Sequence, residues 1–281
     1  MSQKSYDGKT TLYIVPTPIG NLEDMTFRAI SVLKEVDVIF SEDTRVTLNL
    51  LNHFKIKKKL VPSHKFNEDI SSQKVLEHLS NGENVAIVSD RGTPILSDPG
   101  NICVKKAIEA GFNVVSLPGA TAAIPALTSS GIDASRFIFY GFLNSKKSQR
   151  IKELELLKCN KMTIIFYEAP HRIIDTLNDI KDIFGDRIIS VSREISKRYE
   201  EVYRGTVTNV IKEIGEPRGE FVIVVSGNNI DTNYDNITIE DHVKMYMDDG
   251  IDEKNAIKMV AKDRNVPKSE IYKQVKLFPG K

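Results

Sequence analysis

VAIVSDRGTPILSDPGNICVKKAIEAGFNVVSLPGATAAIPALTSSGI (residues 85–132) carries the repeating logic of the whole chain. Val85–Val88 is a short run of Val, Ala and Ile bounded by polar residues, which predicts a strand. Ile102–Ala110 has helical spacing, and Gly111 supplies the left-handed stop. Val114–Leu117 is the next strand, and Ala122–Ser130 is a helix ended by Gly131. Strands alternating with helices imply right-handed crossovers and a mainly parallel sheet.

The same alternation extends in both directions. Toward the N-terminus, Leu12–Val15 and Val36–Phe40 read as strands. Asp24 is placed to cap a helix with Phe27, Ile30 and Leu33 on one face, and Asp43 to cap a helix over Thr47–Phe54. Toward the C-terminus, Phe137–Tyr140, Thr163–Tyr167, Ile188–Val191 and Phe221–Val225 read as strands. Ile173–Phe184 is an amphipathic helix with Ile173, Leu177, Ile180 and Phe184 on one face. Pro118 and Gly119 break the pattern, which divides the α/β part into domains 1–118 and 119–230. Gly227–Asn236 is rich in Asn, Asp and Gly and reads as a linker to a helical extension, 237–281. There, Asp252–Val275 predicts two short helices around 265–267, with Ala256, Ile257, Val260, Ala261, Ile271 and Val275 as the apolar stripe.

Composition excludes several classes. Lysine and arginine total 39 against 38 aspartates and glutamates, a net charge of +1, so bulk charge alone cannot bind nucleic acid and any basic patch is local. Cys103 and Cys159 lie far apart and, with the histidines at no ligand spacing, predict buried reduced thiols and no metal site. No run approaches the length of a membrane span and no apolar signal opens the chain, so a soluble, cytoplasmic protein is expected.

Polar loops follow successive strands, where ligands bind in a parallel sheet. Pro16–Asn21 is a tight loop without the GKS/T of a phosphate-binding loop. In Ser41-Glu42-Asp43-Thr44-Arg45 either carboxylate could serve as a base, Asp43 could equally cap a helix, and Arg45 could grip a phosphate. Ser89-Asp90-Arg91-Gly92-Thr93-Pro94 is followed by Ser97-Asp98-Pro99-Gly100, with Gly92 permitting a close backbone approach. Pro118–Ala122 puts small residues at a helix start. Tyr167–Arg172 and Arg193–Glu201 add His171, Arg172 and Lys197 without identifying a reaction.

Seven ordered motifs carry a resemblance: VPTPIGNLEDMTFRA (15–29), SEDTRVTLNLL (41–51), SDRGTPILSDPG (89–100), LPGATAAIPALTSSGI (117–132), FYEAPHRI (166–173), REISKRYEE (193–201) and RGEFVIVVSG (218–227). Together they resemble the tetrapyrrole methylase superfamily and, within it, the branch that methylates small-subunit ribosomal RNA. PTPIGN stands where the tetrapyrrole enzymes carry a Gly-rich loop, and EDTR and YEAPHR also favour the RNA branch. Arg91 departs from the small residue expected in SDAGTP, either crowding the cofactor or turning outward toward RNA. The histidine expected just before Asn67 is absent.

The resemblance implies two α/β domains with S-adenosylmethionine in the cleft between them, and a homodimer. It implies methylation of the 2′-hydroxyl of a cytidine near the decoding centre of 16S rRNA, on naked RNA or the 30S particle. Asp90, Gly92, Thr93, Thr121, Ala122, Phe166 and Tyr167 would line the cofactor. Asp43 or Glu42 would act on the acceptor, and Arg45, His171, Arg172 and Lys197 would meet RNA. The rival readings are a tetrapyrrole C-methyltransferase of the same fold and an RNA-binding regulator without catalysis.

Overall fold

The computed structural model describes all residues except 1–2, 6, 65–67, 229–236, 249, 265 and 277–281. Position 66, where the histidine was expected, and most of the expected linker thus lie outside the described residues. Contacts divide the chain into two units, Met1–Gly227 and Asn228–Lys281.

The first unit holds two sheets. The first comprises β1 (Thr11–Ile14), β2 (Val38–Ser41), β3 (Lys59–Pro62), β4 (Val85–Val88) and β5 (Asn113–Ser116), in the order β3-β2-β4-β1-β5. Every pairing in it is parallel. Helices α1 (Phe27–Glu35) and α2 (Thr44–His53) cover one face through Ala29, Leu33 and Leu51. Helices α3 (Glu68–Ser80) and α4 (Asn101–Glu109) cover the other through Val75, Leu79, Cys103 and Ala107. β1 and β4 are neighbours, yet the helices that follow them pack on opposite faces. This reversal between neighbouring strands marks the crevice beyond the carboxyl edge where ligands usually bind in such sheets.

The second sheet comprises β6 (Phe137–Phe142), β7 (Thr163–Glu168), β8 (Ile188–Arg193), β9 (Glu201–Thr206) and β10 (Phe221–Val225), ordered β6-β7-β10-β8-β9. Only β6 and β7 pair in parallel; β7–β10, β10–β8 and β8–β9 are antiparallel. The mainly parallel arrangement expected from sequence is thus correct for the first sheet and wrong for the second. The link from β8 to β9, residues 194–200, is too short for a crossover, which needs a dozen or more residues. α6 (Lys147–Leu157), α7 (Ile173–Phe184) and α8 (Val207–Glu213) cover one face. α5 (Ala123–Ser129) packs its Ala126 and Leu127 against Ile165 and Val224 on the other. The expected boundary at 118/119 falls between β5 and α5.

Local capping explains where element ends differ from expectation. Thr26, not Asp24, caps α1, its Oγ1 accepting from the Ala29 N–H at 3.1 Å; Asp24 ends a short 3₁₀ turn, Leu22–Asp24. The buried stripe of α1 runs Ala29, Val32, Leu33, so Phe27 points away from it and is 92% exposed. Cys103 is buried, but Cys159 is exposed because it follows α6 in a turn. Among the described residues no helix is long and apolar enough to cross a membrane.

The second unit is a three-helix cluster of α9 (Ile239–Asp248), α10 (Glu253–Asp263) and α11 (Lys268–Lys276). The predicted stripe of Ala256, Ile257, Val260, Ala261 and Ile271 is buried, and α9 adds Val243 to it. Two helices were expected; the third completes a core that two could not close.

Candidate active site

The crevice begins with loops pinned to one another. Thr17 and Gly92 exchange both backbone hydrogen bonds at 2.9 Å, and the Thr17 hydroxyl donates to the Ser89 carbonyl at 3.1 Å. Gly92 has φ +80°, and a Cβ there would lie 3.3 Å from Ile19. The Thr93 hydroxyl donates to the Ala120 carbonyl at 2.9 Å, tying the third loop in. Gly119 lies so close to Pro16 that a Cβ would come within 2.5 Å of its ring. The backbone itself forms this wall, which explains the small residues.

A cavity of about 520 Å³ opens between these loops and the second sheet. Asp90, Gly92, Thr93, Thr121, Ala122 and Tyr167 line it, together with Glu42 and Asp98. The Thr121 hydroxyl and the Tyr167 phenol lie 3.4 Å apart, linking the start of α5 to β7. Across the mouth, Arg91 reaches Glu220 at 2.9 Å. Glu220 is also held by Lys197 at 2.7 Å, and Lys197 by Glu194 at 2.7 Å. Arg91 therefore turns to an acid just before β10 and bridges the two sheets at the rim.

The carboxylates differ sharply in character. Burial, then the charge of Asp90, pushes the Glu42 carboxyl above its ordinary range. Asp98 is pushed up to about 6 by burial first and by Glu42 next. The Arg45 guanidinium and backbone hold Asp43 down at about 2.

Several expected site residues are placed elsewhere. Asp43 caps α2, its Oδ1 accepting from the Arg45 N–H at 2.8 Å, while its carboxylate pairs with the Arg45 side chain at 2.7 Å. It does not line the cavity. Its backbone N–H does donate to Asp90 Oδ1 at 3.0 Å, which fixes that carboxylate. Phe166 is fully buried among the residues facing α6 and α7, because alternation along β7 sends Tyr167 toward the cavity and Phe166 to the opposite face. Arg172 pairs with the buried Glu168 at 2.6 Å and donates to the Leu143 carbonyl at 3.1 Å, so it fixes a corner of the second sheet. Lys197 is half-buried in the acid network at the rim. Arg45 and His171 are exposed. Asp98, Phe142 and Val222 also line the cavity, although sequence assigned none of them a role in the site. Asp98 gave no strand-end signal because a winding loop separates it from β4.

The profile of the Tetrapyrrole (Corrin/Porphyrin) Methylases matches residues 11–211. The Ribosomal RNA small subunit methyltransferase I of Bacillus subtilis strain 168 is 50% identical over 281 residues, covering 96% of both chains. The chain belongs to the tetrapyrrole methylase family, in the ribosomal RNA small subunit methyltransferase I branch. The protein of that name from Synechocystis is 41% identical, covering 93% of this chain and 95% of its own. Among solved structures, the uroporphyrin-III-C-methyltransferase of Thermus thermophilus superposes with a TM-score of 0.56 at 18% identity, over 78% of this chain and 92% of its own. That likeness is one of fold. As a member of this family the protein uses S-adenosylmethionine. The cavity fits such a group: its volume lies in the range of small-molecule sites, and its wall at Gly92, Thr93 and Ala122 is backbone and small side chains.

Proposed function

We propose that the protein transfers the methyl group of S-adenosylmethionine to the 2′-hydroxyl of a cytidine in small-subunit (16S) rRNA near the decoding centre, acting as a cytoplasmic homodimer. The single observation that carries this reading is the acid-lined cavity between the two sheets, in a chain half identical to a small-subunit rRNA methyltransferase along nearly its whole length.

S-adenosylmethionine supplies an activated methyl on a positively charged sulfur. The residues therefore have mainly to hold the acceptor in line and exclude water. Asp90, Gly92, Thr93, Thr121, Ala122 and Tyr167 form the cofactor wall. Glu42 lines the cavity and is the carboxylate that orients the acceptor hydroxyl. Asp43, with its charge committed to Arg45, acts through the backbone N–H that fixes Asp90. Arg45 and His171, both exposed, make phosphate contacts in this reading, whereas Arg172 and Lys197 support the walls from within ion pairs.

The test is methylation of small-subunit RNA and of 30S particles, followed by digestion to nucleosides and mass spectrometry. Tetrapyrrole precursors are offered in parallel. The reading requires 2′-O-methylcytidine; methylation of a base or of a tetrapyrrole carbon refutes it.

A further inference from the structure

The segment from Gly92 to Gly100 is the most contorted in the described chain. Gly92, Ile95, Ser97 and Gly100 all have positive φ, of +80°, +78°, +71° and +123°. A β-branched residue such as Ile95 is a genuine outlier there, and such backbone persists only when its surroundings force it. Those surroundings are visible. Ile95 packs into the core beneath β4, and its Cγ1 would be 3.2 Å from a Cβ on Gly100. Glu68 Oε1 accepts from the backbone N–H of both Gly100 (2.9 Å) and Ile102 (3.0 Å), which fixes the end of the segment. On the opposite side Gly141, φ +81°, gives way to the Ser97 hydroxyl, which would be 2.8 Å from a Cβ there.

The product of this contortion is the position of one side chain. Asp98 is held in the cavity wall beside Glu42 and Asp90, between the two sheets. On the ribose-methylation reading above, we infer that Asp98 is the catalytic residue that takes the proton of the acceptor hydroxyl. The Asp98 carboxylate accepts that proton as the ribose oxygen bonds to the methyl carbon and the carbon–sulfur bond leaves its electron pair on sulfur. Asp98 then releases the proton to water.

The neighbouring groups suit that role. Glu42 and Asp90 face Asp98 from the first sheet and disfavour its ionised form, as burial does; the Ser89 hydroxyl favours it. Tyr167 faces it from β7 as a phenol whose ionisation burial opposes. Arg91 and Glu220 neutralise each other at the rim, and Glu168 is turned to Arg172 and Thr176. Asp98 is thus raised to about 6, ionised at neutral pH yet a stronger base than an ordinary carboxylate.

The test is single-turnover methylation of 30S particles between pH 5 and 9 by the wild type, Asp98→Asn and Glu42→Gln, with S-adenosylmethionine affinity measured by calorimetry. The wild-type rate should rise about tenfold per pH unit below about 6 and then level off. Asp98→Asn should lose that limb and about 10²–10⁴-fold in rate, with cofactor affinity held within about threefold. Glu42→Gln should move the limb to lower pH by removing a like charge. A ribose-methylated product with an unaltered Asp98→Asn profile overturns the role of Asp98 alone. A parallel fall in cofactor affinity and rate overturns it as well, since Asp98 would then belong to the cofactor wall. A base-methylated wild-type product overturns the ribose reading and this inference with it.

Discussion

Asp98→Asn should make the protein more stable while disabling it. Ionising Asp98 in the folded chain is opposed by burial and by Glu42, which lifts it from 3.8 to about 6. Two pKa units correspond to about 3 kcal/mol of differential interaction. Asp98 retains some contact with solvent, and screening reduces the figure to about 1–2 kcal/mol. Below about pH 4 the side chain is protonated in both folded and unfolded chains, and the variant and wild type should match. Between about 4 and 6 the folded chain holds a proton that the unfolded chain has released, so wild-type stability falls as pH rises. Above about 6 the whole penalty is present, and asparagine, of the same shape without the charge, escapes it. Thermal unfolding at pH 4 and pH 8 reads this directly. The expected difference is near zero at pH 4 and a gain of about 2–8 °C for the variant at pH 8. Equal shifts at both pH values, or a variant less stable at pH 8, would show that Asp98 is not held charged at a cost to the fold.

Other parts of the structure are open to equally direct tests. Gly227→Ala should destabilise the first unit by about 1–3 kcal/mol in denaturant titration, because its Cβ would lie 1.9 Å from the Lys161 carbonyl oxygen, which is backbone and cannot rotate away. Arg150→Met should remove about 3–5 kcal/mol, since Arg150 pairs at 2.6 Å with the buried Asp179 and, among the described residues, the exposed Lys147 at 3.6 Å would be the cation left beside that charge. Deleting residues 238–281 should leave cofactor affinity unchanged by calorimetry, because the cavity is lined by residues of the first unit, while weakening RNA binding and flattening its salt dependence. Equal RNA affinity and salt slope in the truncated chain would exclude a clamp role for those helices.

The elements that sequence made legible are those with a strong period and clear punctuation. Val85–Val88 and Ile173–Phe184 end where the pattern ends, and Gly111 and Gly131 take the positive φ that stops a helix. The two overlooked strands, β3 and β9, are the edges of their sheets. Their mixed, partly exposed residues, such as Lys59-Leu60-Val61-Pro62, blur the alternation that a half-buried strand would show. Strand direction was not legible in the second sheet, because an apolar run reads alike for parallel and antiparallel pairing. In the site, the loops at strand ends were legible from small residues and acids. Side-chain direction was not: Phe166 and Tyr167 are adjacent in sequence and lie on opposite faces. Asp43 satisfied the capping signature of Asp before a helix, and capping is the use the structure makes of its carboxylate. Asp98 lay within the quoted Ser97–Gly100 stretch, but the entry of its side chain into the cavity depends on backbone geometry that no sequence pattern encodes.

The proposed function rests on the cavity between the two sheets holding S-adenosylmethionine for methylation of small-subunit rRNA. Ala122 lines that cavity with Thr121 and Tyr167, so a phenyl ring in its place would take up volume the cofactor needs. The decisive measurement is transfer of labelled methyl from S-adenosylmethionine to 16S rRNA in 30S particles, by the wild type and by folded Ala122→Phe. Label should enter the RNA with the wild type and not with the variant, whose cofactor affinity should also be lost. Equal labelling by the two proteins, or no label in RNA with the wild type, would contradict it.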